Sequence, residues 1–161
     1  MEEKIKPIAH QNKSENKASK GSNLIAVIRI AGMVKVSKNI EETLSRMKLR
    51  RKYSCILISS NKKDLIGMLK KVRYHVGYGE ISKENLVKLI KARGSSIDNK
   101  KFEGEKIARE LLTGKSLKQL GFKGFFRLHP PRKGIKSKLQ YPKGVLGDNK
   151  QDINKLIRRM L

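Results

Sequence analysis

Apolar residues concentrate first at 24–31, where seven of eight positions are apolar and only Arg29 interrupts. The run is too short for a lone helix, is rich in β-branched residues and closes at Gly32. It predicts a strand covered on both faces, and hence a central one. An arginine near the end of such a strand either snorkels to the surface or is held there for a ligand. Ile40, Leu44 and Met47 then recur at helical spacing and predict a helix over 39–49, with Asn39 and Glu42 at capping-box spacing. Residues 53–59 read as a second strand. Asn61 and Asp64 mark the start of a second helix, with Leu65, Met68, Leu69 and Val72 on its inward stripe. A third strand is predicted over 74–81, where Gly77 and Gly79 imply a bulge or a close backbone approach.

The first half therefore reads strand–helix–strand–helix–strand. Its two connecting helices should share one face of the sheet and leave the other face to a different element. Ser82 starts a third helix with Leu86, Val87, Leu89 and Ile90 inward, and Gly94 stops it. A polar connection over 95–102 leads to a short helix over 104–112 with Ile107, Ala108, Leu111 and Leu112 inward, stopped by Gly114. One more turn follows over 116–120. The chain closes with a helix starting near Asn149, with Asp152 at cap spacing. Ile153, Leu156, Ile157 and Met160 form its apolar face, and Lys155, Arg158 and Arg159 its wet one. Residues 1–22 hold five Lys and three Glu with almost no apolar content. They cannot bury enough surface to offset their ordering entropy and read as a flexible basic tail. Such a tail is either a solvated extension or an arm that orders on RNA.

Charge narrows the function. The chain carries 39 Lys and Arg against 14 Asp and Glu, a net charge of +25. Self-repulsion on that scale implies a polyanionic partner, nucleic acid first and a membrane surface second. No apolar run approaches the ~20 residues that span a bilayer, and no signal peptide opens the chain. The single cysteine, Cys55, supports neither a disulfide framework nor a thiolate metal site and reads as a small buried apolar residue, which fits a reducing, cytoplasmic setting. Arg46, Lys48, Arg50, Arg51 and Lys52 crowd the end of the first helix beyond what its dipole requires. Lys62, Lys63, Lys70, Lys71 and Arg73 cluster at the two ends of the second.

From 111 to 147 there is no acidic residue and there are nine Lys or Arg, interleaved with Phe122, Phe125, Phe126, His129 and Tyr141. Glycines and prolines exclude a long regular element here. The stretch reads as an extended basic segment whose cations meet phosphates while its rings stack on unpaired bases. Catalytic patterns are missing. There is no glycine-rich phosphate loop, and His10, His75 and His129 lie far apart without ligand-spaced companions. No carboxylate pair stands at acid/base spacing. No enzyme, metal, cofactor or small-molecule substrate is expected. His75 reads as a strand-surface residue, with RNA stacking as the sharper alternative.

Taken in order, the helix over 39–49 behind a buried strand, the run Leu65-Ile66-Gly67-Met68-Leu69-Lys70-Lys71-Val72, Tyr78-Gly79-Glu80, and Arg127-Leu128-His129-Pro130-Pro131-Arg132 resemble the ribosomal protein L-thirty family of the large subunit, in its longer archaeal form. The likeness spans about 24–160. It implies an α+β fold with a ferredoxin-like three-stranded sheet (βαβαβ, order 3-1-2), helices on one face, and a helical and extended basic C-terminal extension. The chain then divides into a tail (1–22), a ferredoxin-like core with the third helix (23–94) and an archaeal-type extension with the basic loop and final helix (95–161). The resemblance also implies a structural role in the large (50S) subunit, on 23S-type rRNA, with 5S rRNA and neighbouring large-subunit proteins as further candidate partners. The alternative is a free RNA-binding or ribosome-assembly factor. The expected RNA contacts are Arg29, Arg46, Arg50, Arg51, Lys70, Lys71, Arg73, His75, Arg127, His129, Arg132, Lys133, Lys136 and Lys138.

Overall fold

The computed structural model describes residues 23–97 and 102–161. The expected tail over 1–22 and the middle of the 95–102 connection lie outside the described residues. Strand β1 (Leu24–Arg29) is followed by α1 (Lys38–Arg46), β2 (Ser54–Ser59), α2 (Lys63–Val72) and β3 (Val76–Glu80). Then come α3 (Lys83–Arg93), α4 (Gly104–Leu112), two-residue strands β4 (Phe126–Arg127) and β5 (Gly147–Asp148), a 3-10 turn (Lys150–Asp152) and α5 (Ile153–Met160).

The sheet runs β4-β2-β1-β3-β5. β1 pairs antiparallel with both β2 and β3, so the expected 3-1-2 order stands at its centre. β4 and β5 extend the two edges, one antiparallel to β2 and the other parallel to β3. Period-2 alternation splits β1 between two cores. Val27 faces α1 and α2 with Leu44, Leu49, Ile58, Leu69 and Val72. Ala26, Ile28 and Ile30 face α3, α4 and α5 with Leu86, Leu89, Ile107, Ile153 and Ile157. The face left open by the first two helices is thus filled by the second half of the chain. Each fully buried Leu or Ile contributes roughly 1.5–3 kcal/mol relative to exposure.

β3 shows how closely that second half lies on the sheet. A Cβ on Gly79 would overlap the Lys150 carbonyl oxygen, and one on Gly77 would meet that of Val145. The close approach expected from these glycines is therefore made by the segment that leads into α5. Asn154 fastens it: its Nδ2 donates to the carbonyl oxygens of Glu80 (2.9 Å) and Gln151 (2.9 Å), and its Oδ1 accepts from the Ser82 amide and from Asn85.

Three expectations at helix ends need correction. The first helix starts at Lys38 behind Ser37, not at Asn39, and no side-chain hydrogen bond caps it. Asn39 already lies inside it, where its carbonyl accepts from the Thr43 hydroxyl. The second starts behind Lys62 without a side-chain cap, so Asn61 is not its cap. The first helix also stops at Arg46 rather than running to 49. Lys48 takes a left-handed conformation (φ 59°), and the Lys48 and Leu49 amides donate back to the Ser45 and Leu44 carbonyls. That is a Schellman ending with lysine where glycine is usual, held by the buried pair Leu44 and Leu49. Ser82, in contrast, caps α3 as expected, its hydroxyl accepting from the Asn85 amide.

Candidate nucleic-acid interface

One end of the sheet gathers the cations. β1 finishes there and β2 and β3 begin there, with Ser54 opposite Arg127 and Arg29 opposite Val76. The loop after α1, the turn after α2 and strand β4 therefore meet at a single edge. A groove of about 490 Å³ opens between the loop after α1 and the β4 segment, lined by Lys48, Arg50, Arg51, Lys123 and Arg127 together with Ser45, Ser54 and Phe125. The ion pairs that form elsewhere on the described surface, Lys91–Glu105, Lys106–Glu103, Lys115–Glu110 and Lys155–Asp152, involve none of these five. Arg50 is braced through Nε, which donates to the Ser45 hydroxyl at 3.0 Å. The Arg127 guanidinium lies 6.0 Å from the centre of the half-buried Phe125 ring. Five cations beside one aromatic can neutralise phosphates and offer a stacking face.

Arg29 does not belong to that surface, and the expected contact role is corrected. It is 1% exposed. Its Nε donates to the Ala31 carbonyl, one terminal nitrogen to Leu49 (2.8 Å) and Arg50 (2.9 Å), and the other to Gly32 (2.9 Å). Neither snorkelling nor ligand binding describes it. The guanidinium fork ties together the loops on either side of α1. Burial lowers its pKa, and nearby Glu41 acts in the opposite sense.

His75, expected as an RNA contact, sits immediately before β3. It is half-buried, and its Nδ1 is buried with no hydrogen-bond partner among the described residues. Burial, followed by the charge of Arg29, lowers its pKa from 6.5. The exposed aromatic beside it is Tyr74, under the Arg73 guanidinium at 4.7 Å and accepting from Arg73 at 2.6 Å.

The remaining expected residues are exposed and are carried by separate elements. Arg46, Lys70 and Lys71 sit in the last turns of α1 and α2. His129, Arg132, Lys133, Lys136 and Lys138 lie on the loop after β4. That loop is docked rather than free. The His129 and Arg132 amides donate to the Met160 and Arg159 carbonyls, and the Arg159 guanidinium donates to the carbonyls of Arg132 and Gly134. The stacking reading of the basic stretch is also narrowed. Phe122 and Phe126 are buried in the core, with Phe122 edge-on to Phe102 at 4.8 Å, so neither ring is available to a base. Lys48 and Lys123 were not singled out by sequence as contacts. The run of cations from 46 to 52 signalled the first, and nothing in the sequence placed the second beside it.

Among the described residues no cluster of His, Cys, Asp and Glu could hold a metal ion, and no helix is long and apolar enough to cross a membrane. Comparison with known proteins is consistent in kind. The family model described as Ribosomal protein L30p/L7e matches residues 25–76. The chain is 40% identical over 152 residues to the large ribosomal subunit protein uL30 of Archaeoglobus fulgidus, covering 85% of this chain and 99% of that protein. It is 36% identical over 160 residues to that of Staphylothermus marinus, with 86% and 99% covered. With that of Methanococcus maripaludis it is 36% identical over 153 residues, with 84% and 98% covered.

Proposed function

The chain belongs to the ribosomal protein L30p/L7e family, and on that premise we infer that it is a structural constituent of the large ribosomal subunit that clamps folded rRNA at the end of its sheet. The observation that carries the reading is the groove of Lys48, Arg50, Arg51, Lys123 and Arg127, whose charges have no carboxylate among its lining residues. Arginine forks match phosphate oxygens in pairs, and each neutralised phosphate releases condensed counterions. Phe125 adds a face for an unpaired base. The cations of the turn after α2 and of the docked loop after β4 extend the contact to neighbouring RNA segments. Burial of Arg29 keeps the loop that bears Arg50 and Arg51 in one shape, so little ordering entropy remains to be lost on binding.

Reconstitution tests this directly. Lys123→Glu with Arg127→Glu should lower affinity for large-subunit rRNA by at least about tenfold and flatten the log–log salt slope by about 0.7–0.9 per lost phosphate contact. Both residues are exposed, so thermal stability should stay within about 0.5 kcal/mol of the parent. Unchanged occupancy of salt-washed large subunits would remove the groove from the interface. Loss of the parent itself in the salt wash would favour an exchangeable assembly factor.

A further inference from the structure

We propose that the open edge of β2 is a docking site for an extended acidic peptide, which adds to the sheet as a further strand. This site adjoins the RNA groove and shares Lys48 and Gly124 with it, but its strand edge at Leu57 and Ser59 and its aliphatic lining lie outside that groove. β4 pairs with β2 only at Ser54 and Cys55. Beyond them, residues 56–59 have no strand neighbour on that side among the described residues. The Tyr53 carbonyl accepts from the Leu128 amide on the β4 side, whereas the Ser60 amide donates to Asn23 on the β1 side. Alternation along β2 therefore turns the backbone groups of Leu57 and Ser59 toward the open side. The Ser59 carbonyl is taken by the Lys62 amide. Among the described residues, nothing takes the Leu57 amide or carbonyl or the Ser59 amide.

The edge forms the wall of a second groove of about 400 Å³. Met47 and Leu65 line one side of it, and Leu111 and Leu117 the other. Such a floor suits the alternate apolar side chains of an added strand. Its rim carries Arg46, Lys48, Lys62, Lys115 and Lys118 and, among the described residues, no carboxylate. Lys115 leans on Glu110 at 3.1 Å in an exposed pair, which is easily exchanged. Cations along an edge strand prevent self-pairing. A second copy of this chain, at +25, is repelled by the same residues that attract an acidic strand. RNA fits this groove less well, because a row of backbone donors and acceptors over an aliphatic floor matches neither phosphates nor base faces.

The full chain, labelled for amide spectra, can be titrated with a peptide of about eight residues alternating valine and glutamate, long enough to span the open edge. Its amide signals at Leu57 and Ser59 should shift. Binding should fall at least about tenfold in Lys62→Glu with Lys118→Glu, and equally when alternate peptide amides are N-methylated, a change that leaves the protein untouched. No shift at Leu57 and Ser59 with millimolar peptide would overturn the proposal. So would equal binding of a valine–lysine peptide, or insensitivity to N-methylation. A short oligouridylate that moves these amides when the peptide does not would assign the edge to RNA instead.

Discussion

Arg29 holds Arg50 by its backbone: a terminal nitrogen of the buried guanidinium donates to the Arg50 carbonyl at 2.9 Å, while the Arg50 side chain lines the cationic groove. One arginine is spent on shape so that its neighbour can be spent on charge. Replacing Arg29 with alanine leaves four carbonyls without this donor set and should cost about 3 kcal/mol or more. Arg29→Lys should fail to rescue it, since an ammonium cannot reproduce the planar fork. Urea unfolding midpoints check this. Arg127→Ala, in contrast, should weaken RNA binding at nearly unchanged stability.

Lys48 separates stability from binding in a different way. Its left-handed backbone (φ 59°) costs a non-glycine residue about 1 kcal/mol. Lys48→Gly should therefore raise the melting temperature by about 2–4 °C and, by removing a groove cation, lower rRNA affinity. Calorimetry and a filter-binding titration on the same sample would show the two changes with opposite sign. A variant that loses stability would mean that the lysine stem, not its backbone, dominates.

Gly79 tests the docking of the C-terminal half. Gly79→Ala places a methyl group against the Lys150 backbone and Ile153. We expect a loss of about 2 kcal/mol, with hydrogen exchange accelerating first in α5 and much less in α1 and α2, which pack on the opposite face.

His75 gives a pH dependence. Burial and Arg29 lower its folded pKa below the unfolded value of 6.5. Below that value the unfolded chain binds more protons than the folded one. The stability contribution is therefore present above pH 6.5 and is lost as pH falls through the folded pKa. His75→Gln should flatten the stability profile in this acidic window and leave it unchanged above neutrality. An identical slope in both proteins would show that His75 is not the group responsible.

Most of the core was legible because it depends on periodicity. The apolar stripes of α2, α3, α4 and α5 were all readable, as was the centrality of β1. Cap positions were less so, since Asn39 and Asn61 satisfy the spacing rule that Ser37 and Lys62 displace in fact. Cap spacing ranks local options, and the packing of Leu44 and Leu49 decided where the helix turns. The basic stretch after α4 was legible as charge but not as architecture. Phe122 and Phe126 look like stacking rings among lysines, and only the fold shows them filling the core.

The amino-acid order alone determined the alternation of strands and helices, the two-sided burial of β1 and the excess of cations, since each follows from local pattern or from counting charge. Tertiary structure decided which cations share a surface. Lys48, Arg51, Lys123 and Arg127 come from segments far apart along the chain and meet only because β4 pairs with the start of β2. It also decided that Arg29, alike in formula, serves the fold, because a residue's role depends on whether its hydrogen-bond donors face carbonyls or open space.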